Sequence, residues 1–201
     1  VWQFDFRGRA YALSDFMHPQ TADYGKALLE FARGVEIKQE DDAKWLAIHG
    51  ANCFGEDKIS LSERENWAYD HIDDVVKTVE NPFEYAWWMS ADKPFQFLAF
   101  CCEWYQYHKE GLGFITHLPV SADGSCNGLQ HLSAILRDEK GGRAVNLLPS
   151  NKPNDIYHDV AMQTQKLVEI DATNGDELAQ QILDFGIDRK LTKRSVMIVP
   201  Y

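Results

Sequence analysis

Long apolar runs are missing from this 201-residue chain. No stretch approaches the roughly 18 consecutive apolar residues that mark a membrane-spanning helix. The opening VWQFDFRGRA has neither the charged n-region nor the apolar h-region of a secretory leader. Cysteine is scarce as well. Cys53, Cys101, Cys102 and Cys126 contain no CxxC pair, which argues against structural zinc or a disulfide framework and for reduced thiols in a cytosol-like compartment. His49 and Cys53 stand four apart on an expected helix, but without a second pair nearby they read as a packed imidazole and a buried thiol. Basic charge is the third shortage. The formal net charge is −11, which taken alone argues against a nucleic-acid partner.

That shortage is local. Residues 36–92 hold 14 Asp or Glu against 5 Lys or Arg, so the remaining 144 residues together carry only −2. Within those, Arg7 and Arg9 make one basic spot, and Arg189, Lys190, Lys193 and Arg194 make a denser one. The 45% hydrophobic content suits one large packed domain or two small ones. The chain opens without Met and stops at IVPY inside an apolar helical pattern, so it is expected to be an internal piece of a longer protein.

FDFRGRAYALS alternates like an extended segment, with Arg7 and Arg9 on one side. KALLEFARG predicts a short helix stopped by Gly34, and DDAKWLAIHGANCFG another that ends at Gly55. In SERENWAYDHIDDVVKTVE, Ser62 and Glu65 suggest a capping box, and Trp67, Ile72, Val75, Val76 and Val79 a buried stripe. PFQFLAFCCEWYQYHKEG is apolar almost all round and predicts a helix buried between other elements; its aromatic cluster reads as core. ITHLPVSAD reads as a strand ending at Asp123, followed by a helix from about Asn127 to Asp138 with Gln130 as reciprocal cap. GGRAVNLLPS suggests a turn and a short extended segment. NDIYHDVAMQTQKLVEI begins a helix capped by Asn154 or Asp155, ELAQQILDFG forms another, and DRKLTKRSVMIVPY is a helix that is basic in its first two turns.

Two constellations carry chemistry. In DGSCNGLQH, a carboxylate and a backbone carbonyl, Asp123 and Gly124, stand at a strand-to-helix handover where small residues let a phosphate approach the backbone. Hard oxygens of this kind suit Mg²⁺, although Asp-Gly is also an ordinary turn. On the terminal helix, Arg189 and Lys193 are four apart and share a face, with Tyr201 further along the same side. Such cations can grip successive phosphates, although a solvated basic face is the plainer reading.

Taken in order, DFRGRAY, WLAIHGANCFG, PFQFLAFCCE, DGSCNGLQH, LRDEKGGRAVNLLPS, DIYHDVA and TKRSVMIVPY resemble the single-subunit, bacteriophage-type RNA polymerases, a family that includes the mitochondrial enzymes. The resemblance runs from Phe4 to Tyr201. It implies a mainly α fold with a small β component (α+β): a partial palm over residues 1–150, with the acidic block 36–92 as a helical insertion and the metal-site segment at 117–138, and the start of the fingers over 151–201, with the nucleotide-binding helix at 188–201. Asp123 is then a catalytic metal ligand with the Gly124 carbonyl beside it; Arg189, Lys193 and Arg194 are the triphosphate grip; Tyr157 lies close to the nucleotide; and Tyr201 monitors its sugar. Asp5, Gly8 and Arg9 match a DxxGR motif that, with Arg7, faces the template and nascent hybrid.

The implied activity is template-dependent RNA synthesis with two Mg²⁺ ions, double-stranded DNA as template, nascent RNA as product and ribonucleoside triphosphates as substrates, with no membrane partner and a monomeric enzyme. GGRAVNLLPS and TKRSVM favour a phage enzyme working in the cytoplasm of an infected bacterium over an organellar one. Related DNA polymerases carry a ribose-excluding Glu five residues after the aspartate, where Gly128 stands here, which disfavours DNA synthesis. A non-catalytic helical module working through the acidic block is the rival of another class. Pro200 departs from the family pattern and should bend the helix before Tyr201. The family's second catalytic aspartate is expected downstream, so the 201 residues alone are expected to be inactive.

Overall fold

A computed structural model of the chain describes residues 1–122 and 124–198. Helices dominate, with two small two-stranded sheets, so the fold is mainly α with a small β component as expected. The chain divides into two compact units, Val1–Ala122 and Asp123–Tyr201.

The first unit opens with a hairpin. Strand β1 (Trp2–Phe4) pairs antiparallel with β2 (Ala10–Ala12), with Gln3 opposite Tyr11. Helix α1 (Asp23–Ala27) begins before KALLEFARG and ends two residues into it, so the helix expected to run to Gly34 does not form; Phe31 instead donates its N–H to the His117 carbonyl oxygen at 3.0 Å, which holds the chain outside a helix. Residue Asp23, on α1, has a second use, because its carboxylate accepts the backbone N–H groups of Phe95 at 2.7 Å and Gln96 at 3.3 Å, and the Gln96 side-chain Nε2–H at 2.9 Å. It therefore caps, from 72 residues away, helix α5 (Pro94–Glu110). Between them lie a 3₁₀ turn (Glu40–Ala43), α2 (Lys44–Phe54), α3 (Leu61–Asp70) and α4 (Ile72–Glu80). The second sheet joins β3 (Val35–Glu36) to β4 (Ile115–Thr116).

α5 buries one stripe rather than its whole circumference: Phe97, Phe100, Cys101, Trp104 and Tyr107 face inward, while Phe95 and Cys102 on the other side are exposed, so the expectation of burial all round is corrected. Phe97, Phe100, Cys101 and Trp104 are fully buried and pack with Leu46, Ala47 and Cys53 of α2 and Val75 of α4. Burying each large side chain stabilises the fold by about 1.5–3 kcal/mol relative to exposure. Helices α2 and α5 approach closely at Gly50, where an added Cβ would sit 2.2 Å from the Phe100 ring. The aromatic cluster is core, with Phe54, Trp67, Trp87 and Phe97 in mutual ring contact. His49 and Cys53 are both buried, 3.5 Å apart from Nε2 to Sγ. Burial lowers the His49 pKa to about 4 and pushes the Cys53 thiol up to about 12, as suits a neutral packed pair.

Two expectations for SERENWAYDHIDDVVKTVE also shift. The single helix expected over SERENWAYDHIDDVVKTVE is two, because His71 leaves helical geometry and its Nδ1 contacts the Trp67 carbonyl oxygen at 2.8 Å. The capping box is Ser60 with Glu63 rather than Ser62 with Glu65: Ser60 Oγ accepts the Glu63 N–H at 3.2 Å, and Glu63 accepts the Ser60 N–H at 2.8 Å.

The second unit contains α6 (Asn127–Leu136), α7 (Glu139–Ala144), α8 (Ile156–Thr173), α9 (Glu177–Phe185) and α10 (Arg189–Ile198). Helices α9 and α10 pack on α8, and α6 packs on α7. GGRAVNLLPS is therefore helical at its start, not extended. Gly141 makes that possible, since a Cβ there would lie 2.7 Å from Ser133 Oγ. No described helix is long and apolar enough to cross a membrane.

Candidate functional site

The site is clearest on α8 and α10. Asp155 caps α8 as expected: its Oδ1 accepts the N–H of Tyr157 at 3.1 Å and of His158 at 3.3 Å. Its Oδ2 accepts from Nε of Arg189. Burial alone would raise the Asp155 carboxyl, but the bonds from Arg189 and the two backbone amides outweigh it and hold it below its ordinary value. Thr192 fastens the helices a second time, donating to the Tyr157 carbonyl oxygen at 2.8 Å. Asp188 starts α10 by accepting the Leu191 N–H at 2.7 Å.

Tyr157 thus lies under both cations of the basic face. The Arg189 guanidinium is 5.4 Å, and the Lys193 ammonium 5.8 Å, from the centre of its ring. These distances lie within cation–π range. Burial, followed by contact with the Cys126 thiol, raises the Tyr157 hydroxyl pKa to about 12, so it stays protonated at neutral pH. Arg194 is exposed further along α10. Basic residues in the first turn oppose the helix macrodipole and lower helix stability there, which makes this end of α10 electropositive and open to an anion.

Sequence reasoning did not anticipate three parts of this arrangement. Asp155 was legible as a cap, not as the partner of Arg189. Thr192 and Cys126 gave no signal, since each matters only through contact with residue 157.

The DGSCNGLQH segment is partly described. Asp123, the expected metal ligand, lies outside the described residues, as do Pro200 and Tyr201. Gly124 is exposed, and Cys126 adopts a left-handed conformation (φ 52°) as the N-cap of α6. Among the described residues the N-cap position, Cys126, makes no side-chain capping bond, so the expected roles of Asn127 and Gln130 are not found; Gln130 donates instead to the Val145 carbonyl oxygen at 2.8 Å. The strand expected over ITHLPVSAD is confined to Ile115–Thr116. Its partner β3 is two residues long, and Glu103 takes the Thr116 hydroxyl at 2.6 Å and the His117 N–H at 2.9 Å, which draws the chain off the ladder. Among the described residues no group of three or more His, Cys, Asp or Glu side chains is placed to hold a metal.

In the first unit, DFRGR is a tight turn and not a continuous extended segment. Asp5 Oδ1 accepts the N–H groups of Arg7 at 2.9 Å and Arg9 at 3.0 Å, while Oδ2 pairs with the Arg7 guanidinium at 2.8 Å. Gly8 takes φ 75°, a conformation that favours glycine. Asp5 therefore organises the turn, and Arg7 and Arg9 project from it at exposed positions.

A family model described as DNA-dependent RNA polymerase matches residues 37–201. The DNA-directed RNA polymerase of Enterobacteria phage T3 and the T7 RNA polymerase of Escherichia phage T7 are each 42% identical across the whole chain. The mitochondrial DNA-directed RNA polymerase of Mus musculus is 40% identical over 98% of it. The chain spans 25% of each phage relative and 16% of the mouse one.

Proposed function

The chain belongs to the DNA-dependent RNA polymerase family of phage and mitochondrial enzymes, and from that premise we propose that it carries the incoming-nucleotide site of a polymerase that copies double-stranded DNA into RNA. The observation that carries this reading is the joint placement of Arg189 and Lys193 over one tyrosine ring at the electropositive start of α10. Lys193 offers a compact charge to the triphosphate. Arg189, held through Nε by Asp155, still has its two terminal guanidinium nitrogens to offer as a planar donor pair. Arg194 extends the same positive field along α10. Tyr157, kept protonated, supplies a flat face beside the nucleotide and a hydroxyl that can donate.

Asp123 and the Gly124 carbonyl form an all-oxygen donor set that suits a hard cation, and we assign them to Mg²⁺, with two ions in the full-length enzyme. Bound Mg²⁺ supplies charge neutralisation at the attacking 3′-oxygen and the leaving pyrophosphate. The chain's own residues then orient the triphosphate for in-line transfer and balance its charge. Tyr201 reads the sugar, and the turn of Asp5, Arg7, Gly8 and Arg9 contacts the template and nascent hybrid. The enzyme works in the cytoplasm of an infected bacterium, a reading supported by the phage relatives, and as a monomer.

Replacing Asp123 by Asn in the full-length polymerase tests the assignment. Mg²⁺-dependent elongation should fall by several orders of magnitude; near-normal elongation overturns the metal role.

A further inference from the structure

Asn146, in the loop after α7, sits in the left-handed region at φ 58° and spends its whole side-chain amide on three bonds. Its Oδ1 accepts the Asn154 N–H at 2.7 Å, and its Nδ2 donates to the Asn154 carbonyl oxygen at 2.8 Å and to Ser125 Oγ at 2.9 Å. The first two bonds imitate one rung of a β-ladder against the residue that precedes the Asp155 cap. The third reaches into DGSCNG, two residues past Asp123. Asn154 is itself held from the other side, its Nδ2 donating to the Arg143 carbonyl oxygen at 2.8 Å. One amide therefore ties Ser125 to the segment whose next residues, Asp155 and Tyr157, hold Arg189 and face both cations of α10.

Asparagine suits this place on two grounds. It tolerates left-handed backbone better than other non-glycine residues, and its amide both accepts and donates. Aspartate keeps the acceptor but sets an oxygen 2.8 Å from the Asn154 carbonyl oxygen, where a donor is needed. Alanine loses all three bonds and is strained at this φ.

From this geometry we infer that Asn146 is a positioning residue: it fixes the spacing between the metal-binding turn and the nucleotide-binding face, and touches neither metal nor nucleotide. The inference rests on the nucleotide-site reading above. It predicts a coupled defect. Loosening Asn146 should impair both the use of Mg²⁺ and the use of rNTP, because both ends of the link move.

The test uses the full-length polymerase with Asn146→Gly, which frees the left-handed backbone from strain, and Ser125→Ala, which cuts only the turn-side bond. Amide hydrogen exchange, read without catalysis, should quicken roughly three- to tenfold at both 125–127 and 154–158 in Asn146→Gly, as expected for loss of one net hydrogen bond at each end. In steady state, Asn146→Gly should raise the KM for rNTP and the half-saturating Mg²⁺ concentration together by about five- to tenfold, with template affinity unchanged. Adding Ser125→Ala to it should change little more, since both variants cut the same link. Exchange that quickens at one segment only, a Mg²⁺ or rNTP effect without the other, or full additivity of the two variants overturns the inference. If the wild-type protein makes no RNA, the nucleotide-site reading fails, while the exchange result still decides whether Asn146 couples the two segments.

Discussion

Asp155 divides its two carboxylate oxygens between a helix and a cation: Oδ1 caps α8, and Oδ2 accepts from Nε of Arg189. A cap that also seats a cation makes the start of α8 and the basic face of α10 one unit. Asn at 155 keeps the cap, since Asn and Asp rank alike there, but removes the negative partner of Arg189. In the full-length polymerase, Asp155→Asn should raise the KM for rNTP about two- to fivefold and leave kcat within about twofold, the scale of a partly exposed ion pair. Steady-state kinetics at low and high salt check this, with the gap narrowing as salt rises. An unchanged KM at low salt contradicts it. Because the Asp155 carboxyl is held below 3.8, the stability it contributes is present above that pH and lost only as pH falls through the lower folded value.

Gly50 of α2 leaves no room for a side chain against the Phe100 ring. Gly50→Ala drives a methyl group to 2.2 Å from a fully buried ring and should destabilise the fold by about 1–3 kcal/mol. Phe100→Leu in the same chain should recover part of that loss, since the two sites share one space. Denaturation midpoints of the two single variants and the double variant decide it; additive losses contradict the packing.

His49 gives the first unit an acid-sensitive point. Its folded pKa of about 4 lies below its ordinary 6.5, chiefly through burial and then through the Lys93 charge. The neutral ring is therefore compatible with full stability above pH 6.5, and stability is lost as pH falls from there toward 4. Between pH 7 and pH 5 the loss is about 2 kcal/mol. Hydrogen exchange of the α2 amides should show it in the wild type and not in His49→Gln.

The thiols should separate by burial. Cys53 and Cys101 are buried, with thiol pKa values pushed up by burial; the Cys102 thiol is raised too, by partial burial and then by the Glu103 charge, but the residue is exposed, and Cys126 is half-buried beside Tyr157. Brief alkylation of the native protein at pH 8, read by mass spectrometry, should modify Cys102 and Cys126 and spare the other two. An rNTP with Mg²⁺ should protect Cys126 selectively; equal labelling of all four thiols contradicts the core.

Much of this fold can be read from the chain, and the misreadings share a cause. α5 announces itself by apolar residues on every face, and α8 by the capping residue before it. The break at His71 and the early end of β4 are invisible locally: a single carbonyl contact fixes the first, and the reach of Glu103 across to Thr116 and His117 fixes the second. The basic spacing of Arg189 and Lys193 is legible, as is the identity of Tyr157. That one ring serves both cations, and that Asn146 links 125 to 154, depends on loops whose path no periodicity encodes.

The most direct measurement is equilibrium binding of an rNTP with Mg²⁺ to the full-length polymerase on a primed template, for the wild type and for Arg189→Ala with Lys193→Ala. Each cation should contribute charge-assisted bonds of about 1.5–3 kcal/mol, so the double variant should bind at least about a hundredfold more weakly while template affinity changes little. Unchanged nucleotide affinity, or affinity lost only when the acidic block of residues 36–92 is altered, would contradict the account.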